Sequence, residues 1–198
     1  MAQAVTRILC HLPLLLALLA VPSAVFAHRD DQYLQATLVA IEPSGVRLQI
    51  NLTPGVAVAE QVLTQIDRDR DGAISKNEAA AYAELLKRDL TVRMDERKLE
   101  LQLSATEFVP PAELRTGSAT IQMEFSAISG PLAAGAHRLT IENRHLTQMS
   151  VYLINAALPK FATVQITRQK RNDNQSAGEI EFSFQPLRPT IAESGARP

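Results

Sequence analysis

Residues Asp67 to Glu78 read DRDRDGAISKNE, and no other stretch constrains the chain as tightly. Carboxylates stand at the first, third, fifth and twelfth positions, with Gly72 sixth, Ala73 seventh, Ile74 eighth and Ser75 ninth. A hard cation such as calcium takes about six to eight oxygen ligands. Asp67, Asp69 and Asp71, at alternate positions, can turn their side chains toward one centre while Arg68 and Arg70 face water. Gly72 permits a sharp turn that a β-carbon would strain, after which the carbonyl of Ala73 can point back at the ion. Ser75 can offer an oxygen directly or through water, and Glu78 is long enough to give both of its oxygens. The candidate metal ligands are therefore Asp67, Asp69, Asp71, Ala73, Ser75 and Glu78, with Ile74 expected to face the core.

The flanks are helical in pattern. Thr53 and Pro54 have the character of an N-cap and first helical residue, opening a helix with Val58, Val62, Leu63 and Ile66 near helical spacing. Behind the loop, Ser75 and Glu78 have capping-box spacing, and Lys76 to Asp89 is rich in Ala, Leu, Glu and Lys. Helix, acidic loop and helix in this order resemble the EF-hand, and the resemblance implies Ca²⁺ as the bound ion. Arg68, Arg70 and Lys76 offset three of the four acid charges, so the expected affinity is modest, roughly 10⁻⁴ to 10⁻⁵ M. The chain has no second D-x-D-x-D-G loop, so a lone hand must find its supporting surface elsewhere in the fold.

Residues 1–27 read as an export signal: Arg7 is a positive n-region, Ile8 to Ala20 is apolar, and Val25-Phe26-Ala27 precedes a cut before His28. Pro13 and Pro22 interrupt that stretch, and nothing after it approaches about 18 consecutive apolar residues, so no transmembrane segment is expected in the mature chain. The expected location is periplasmic or extracellular. Cys10, the single cysteine, lies inside the signal, leaving no disulfide to the mature protein. With 20 basic and 21 acidic side chains and no basic stripe, the chain lacks the electrostatic term that dominates nucleic-acid binding.

Outside 53–89 the pattern has period two. Tyr33 to Ile41 and Val46 to Leu52 form a hairpin about Glu42-Pro43-Ser44-Gly45. Leu90, Val92 and Met94 are answered across the turn Asp95 to Lys98 by Leu99, Leu101 and Leu103. Further strands are expected at Thr120–Ala127, His137–Glu142, Ser150–Ile154, Ala162–Thr167 and Glu179–Phe184, separated by turn residues. This predicts a mainly β protein: residues 28–185 as an immunoglobulin-like antiparallel β-sandwich with one EF-hand inserted at 53–89, between its second and third strands. The insertion lets both helices lay their apolar faces on the sandwich. Two modules on a linker would need a flexible segment, and neither end of the insertion has one. Residues 186–198, rich in Pro, Gly, Ser and Arg, read as a disordered tail.

The signal ending in Ala-His, the hairpin, the D-x-D-x-D-G loop with its Ala-rich helix, and a sandwich carrying Asn143-Arg144-His145 before Val151-Tyr152-Leu153-Ile154-Asn155-Ala156 follow in a familiar order. Together they resemble the extracytoplasmic amino-terminal region of bacterial nickel/cobalt-type permease proteins. The resemblance implies a stand-alone extracytoplasmic domain that senses or hands over divalent metal, with a membrane transporter or another protein as partner. It does not imply transport itself. A second metal reading places Cu²⁺ or Ni²⁺ on the amine and imidazole of His28, joined by His137 or His145. No G-x-S-x-G, H-E-x-x-H, phosphate-binding glycine loop or mature cysteine nucleophile occurs, so no catalytic role is expected.

Overall fold

The computed structural model describes residues 31–187, so the expected signal (1–27), His28 and nearly all of the 186–198 tail lie outside the described residues. The period-two alternation is realised as strands β1 (Tyr33–Glu42), β2 (Gly45–Pro54), β3 (Leu90–Met94), β4 (Arg97–Lys98), β5 (Gln102–Glu107), β6 (Ile121–Ile128), β7 (Gly135–Asn143), β8 (Ser150–Ala156), β9 (Val164–Arg171) and β10 (Ala177–Phe184). Helices α1 (Ala59–Ile66) and α2 (Lys76–Asp89) fall between β2 and β3, and a single turn, α3 (Pro111–Leu114), precedes β6. The protein is thus mainly β. Among the described residues no helix is long and apolar enough to cross a membrane.

The strands form two five-stranded sheets, ordered β5-β6-β2-β1-β8 and β4-β3-β7-β10-β9. In the first sheet Val46, Leu48, Ile50 and Leu52 of β2 stand opposite Ala127, Phe125, Met123 and Ile121 of β6. All eight are buried. They share one apolar cluster with Val92 and Met94 of β3, Leu139 and Ile141 of β7, and Ile180, Phe182 and Phe184 of β10, so the inner faces of both sheets contribute to a common core. Each fully buried side chain of this size adds roughly 1.5–3 kcal/mol of transfer free energy, which makes this cluster the main stabilising element. The edges of the sheets are tied by side chains, with Gln169 and Arg171 of β9 both donating to the carbonyl of Ile154 in β8.

Three expectations need correction. Thr53 and Pro54 do not open a helix: they end β2, paired with Leu34 and Tyr33. The ladder wins because β1 extends far enough to meet them, and α1 starts at Ala59 behind Val58, which makes no side-chain cap. Next, the sheet is not wholly antiparallel, since β1 and β8 pair in parallel from Tyr33↔Ser150 to Val39↔Ala156. Finally, the hairpin after α2 is split. The return along β3 is short: about a two-residue turn in which Asp95 and Glu96 have φ of 48° and 68°, Arg97 and Lys98 pair with Met94 and Arg93, and the Leu99 N–H makes a last bond to the Val92 carbonyl. Leu99 and Leu101, both buried, then carry the chain over to the first sheet, where Leu103 in β5 pairs with Phe125 of β6.

Candidate metal centre

Helix α1 buries Ala59, Val62, Leu63 and Ile66 and ends on Asp67, whose N–H donates to the carbonyl of Leu63 at 2.8 Å. Its buried stripe seats the last turn against the core, so Asp67 is itself only 8% exposed. Helix α2 starts as its sequence requires: Ser75 is the N-cap, its hydroxyl accepting from the N–H of Glu78, while the Glu78 carboxylate accepts from the N–H of Ser75. Tyr82, Ala83 and Leu86 are the buried face of α2. Ile74, half-buried, packs on the core edge.

Between the helices the backbone turns through two left-handed residues, Arg70 at φ 61° and Gly72 at φ 82°. The turn is knit by its own carboxylates. Asp67 Oδ2 accepts from the N–H of Gly72 (3.1 Å), Asp69 Oδ1 from Asp71 (3.2 Å), and Asp71 Oδ1 from Ala73 (2.8 Å). One oxygen from each of Asp67, Asp69 and Asp71 lies within 4.8 Å of the others. Asp67 Oδ1 is buried and has no hydrogen-bond partner. Three carboxylates this close repel one another unless a cation sits among them, and a buried carboxylate oxygen without a partner is itself costly. The donor set is oxygen throughout, which suits a hard cation.

Glu78 lies outside that trio. Its Oε1 accepts from the N–H of Arg68 (2.7 Å) and its Oε2 from the N–H (2.9 Å) and hydroxyl (2.7 Å) of Ser75. Those bonds, from the Ser75 backbone first, then its hydroxyl and Arg68, hold the Glu78 carboxyl below its ordinary pKa, so it remains an anion at the loop. The six sequence candidates thus divide. Asp67, Asp69 and Asp71 are brought together, Ser75 and Glu78 are bonded to each other, Glu78 also takes the Arg68 N–H at the start of the loop, and Ala73 contributes backbone alone.

Neither described histidine has a free ring nitrogen. His137 Nδ1 pairs with Asp95 Oδ2 at 2.6 Å and its Nε2 with the Ala133 carbonyl at 2.7 Å, and the ring stacks on Phe182. Burial draws its pKa down, but the two acceptors outweigh burial and leave it raised. His145 is fully buried, with Nδ1 2.7 Å from Asp89 Oδ2 and Nε2 3.1 Å from the Tyr82 hydroxyl. Burial holds its pKa low, against the pull of Asp89.

His145 belongs to a buried polar network that sequence reading missed. Tyr33 and Tyr82 hydroxyls meet at 2.8 Å. Gln35 donates to the His145 carbonyl and to Ser150 Oγ, Asn143 donates to Gln35 Oε1, the His145 N–H donates to Asn143 Oδ1, and Tyr152 donates to the His145 carbonyl. One signal was available: Gln35 interrupts the apolar alternation of β1 at an inward position, whereas Thr37, inward on the same strand, keeps its hydroxyl unpartnered and stands outside the network. Most buried polar side chains are hydrogen-bonded, and Gln35 finds its partners in His145, Ser150 and Asn143.

No protein-family model, curated protein or solved structure matches the chain.

Proposed function

We propose that the protein is an exported calcium-binding module, an immunoglobulin-like β-sandwich carrying one EF-hand between β2 and β3. Two observations carry this reading: one carboxylate oxygen from each of Asp67, Asp69 and Asp71 lies within 4.8 Å of the others, and Asp67 Oδ1 is buried without a hydrogen-bond partner. Asp67, Asp69, Asp71, the Ala73 carbonyl, Ser75 and Glu78 would hold the ion. Bound Ca²⁺ supplies fixed positive charge, cancelling the carboxylate repulsion that otherwise loosens the loop. Because the loop joins the end of α1 to the start of α2, filling it orders the pair on the sandwich, for stability or to present a surface to a partner protein or transporter. The alternative, exchange of nickel, cobalt or copper through His28, draws no support from His137 or His145, whose nitrogens are engaged.

Calorimetric titration with CaCl₂, repeated on Glu78→Gln, tests the reading. One site at roughly 10⁻⁴ to 10⁻⁵ M, weakened at least about tenfold in the variant, is the expected result. Gln is also a capping-box residue, so the variant keeps α2 while removing a charge. Absence of heat and of any thermal shift at millimolar calcium would exclude the proposal.

A further inference from the structure

We infer that calcium in the 67–78 loop and a proton on His145 oppose each other through α2, so that metal affinity falls as His145 is protonated. This rests on the calcium reading above. Helix α2 is one uninterrupted run of 14 residues, with Glu78 in its first turn, Tyr82 one turn later and Asp89 at its end. Its first turn closes the loop and its remainder grips His145.

The hydrogen bonds fix a direction. A carboxylate only accepts, so His145 Nδ1 carries the hydrogen given to Asp89. The neutral ring then leaves Nε2 as an acceptor for the Tyr82 hydroxyl, whose oxygen accepts in turn from Tyr33. Every donor is satisfied. Protonating Nε2 reverses the chain: the ring donates to Tyr82, Tyr82 donates to Tyr33, and the Tyr33 hydroxyl hydrogen has no other acceptor among the described residues. Both tyrosines are buried, so water cannot replace the lost partner while α2 is docked. Relief requires α2 to move off β1, and that motion takes Glu78 with it.

The groups facing His145 come from every neighbouring element: Asp89 and Tyr82 from α2, Tyr33 and Gln35 from β1, Asn143 from β7, and Ser150 and Tyr152 from β8. Asp89 alone among them is an acid, and it favours the proton. The adjacent Arg144 guanidinium is turned to Glu142. Burial opposes the proton more strongly than Asp89 attracts it. By linkage, whatever calcium does to protonation of His145, protonation does equally to calcium.

The test is an NMR titration of the His145 and His137 ring protons with calcium removed and with calcium saturating, beside calorimetry on the same protein. The expected result is a fall of about 0.5 in the His145 midpoint on adding calcium, equivalent to about threefold in metal affinity, with His137 unmoved. Tyr82→Phe keeps the ring and the distance to the ion but cuts the chain, and should abolish the shift. Tyr33→Phe removes the stranded hydroxyl and should raise the His145 midpoint in calcium-free protein. Calcium heat without movement of His145, or an equal movement in Tyr82→Phe through direct charge repulsion, would overturn the inference and leave the calcium reading standing. Absence of calcium heat would overturn both.

Discussion

Asp67 holds the loop together with one carboxylate oxygen and destabilises it with the other. Oδ2 takes the Gly72 N–H, and Oδ1, buried, takes nothing. Asp67→Asn keeps an acceptor for Gly72 while removing a charge from the trio. Calcium binding should weaken at least about tenfold, yet calcium-free protein should gain about 1 kcal/mol, a rise of about 2–4 °C in its melting point. Scanning calorimetry in chelator checks both the sign and the size. His137 makes a pH prediction. Its raised pKa means that its stabilisation is complete below the unfolded value of about 6.5 and is lost as pH rises through the folded value. Asp95, for which burial is outweighed by the bonds from His137 and Arg138, is depressed, so its share is present above about pH 4 and lost as pH falls through its folded value. His145, whose folded pKa is lowered, makes the opposite contribution, a rise that is complete about one unit above the unfolded value of about 6.5, so the share of His137 is read as the difference between the wild-type protein and His137→Ala. The stability of wild type relative to His137→Ala, from urea unfolding between about pH 6.5 and 9, should fall by less than about 1 kcal/mol, Asp95 being half-exposed.

Helix α2 was legible because its signals are local: a capping box, a run of good helix formers and Lys87 and Arg88 in the last turn, where the helix dipole favours cations. Ser75→Ala should cost about 1 kcal/mol in calcium-free protein, measurable by urea unfolding, since it leaves the Glu78 N–H without its cap. The start of α1 was not legible. Thr53-Pro54 suits a helix start and a strand end equally, and only the length of β1, a partner nineteen residues earlier in the register, decides between them. The split hairpin has the same origin. Leu99, Leu101 and Leu103 alternate like a return strand, but alternation fixes only which face is buried, and crossing over to the first sheet buries the first two equally well. The turn itself is strained, with Glu96 in the left-handed region at φ 68°. Glu96→Gly should stabilise the protein by about 1 kcal/mol, since the pair it forms with Arg138 is exposed and worth little. A higher urea midpoint with unchanged slope is the expected reading.

At the scale of the whole molecule, a ligand that binds the folded state alone stabilises it by mass action. Calcium at 100 times its dissociation constant should add about 2.7 kcal/mol, and chelator should reverse the gain. The inward residues of both sheets were readable because each strand announces its own face. Beyond the hairpin of β1 and β2, which the turn between them announced, which strands become neighbours was not readable, because pairing joins segments far apart in the chain. The contact between β1 and β8, with Tyr33 beside Ser150, is the extreme case. It sets an order of events for a chain that emerges amino-terminus first, whether from a ribosome or through a membrane. The hairpin of β1 and β2 can close within moments of appearing, but the outer edge of β1 stays uncovered until Ser150 to Ala156 has followed. For most of its emergence the chain presents a bare strand edge able to pair with any other. Folding is therefore completed late, by a long-range and slow association, and the interval before β8 arrives is when the nascent molecule is most exposed to aggregation and most in need of a chaperone.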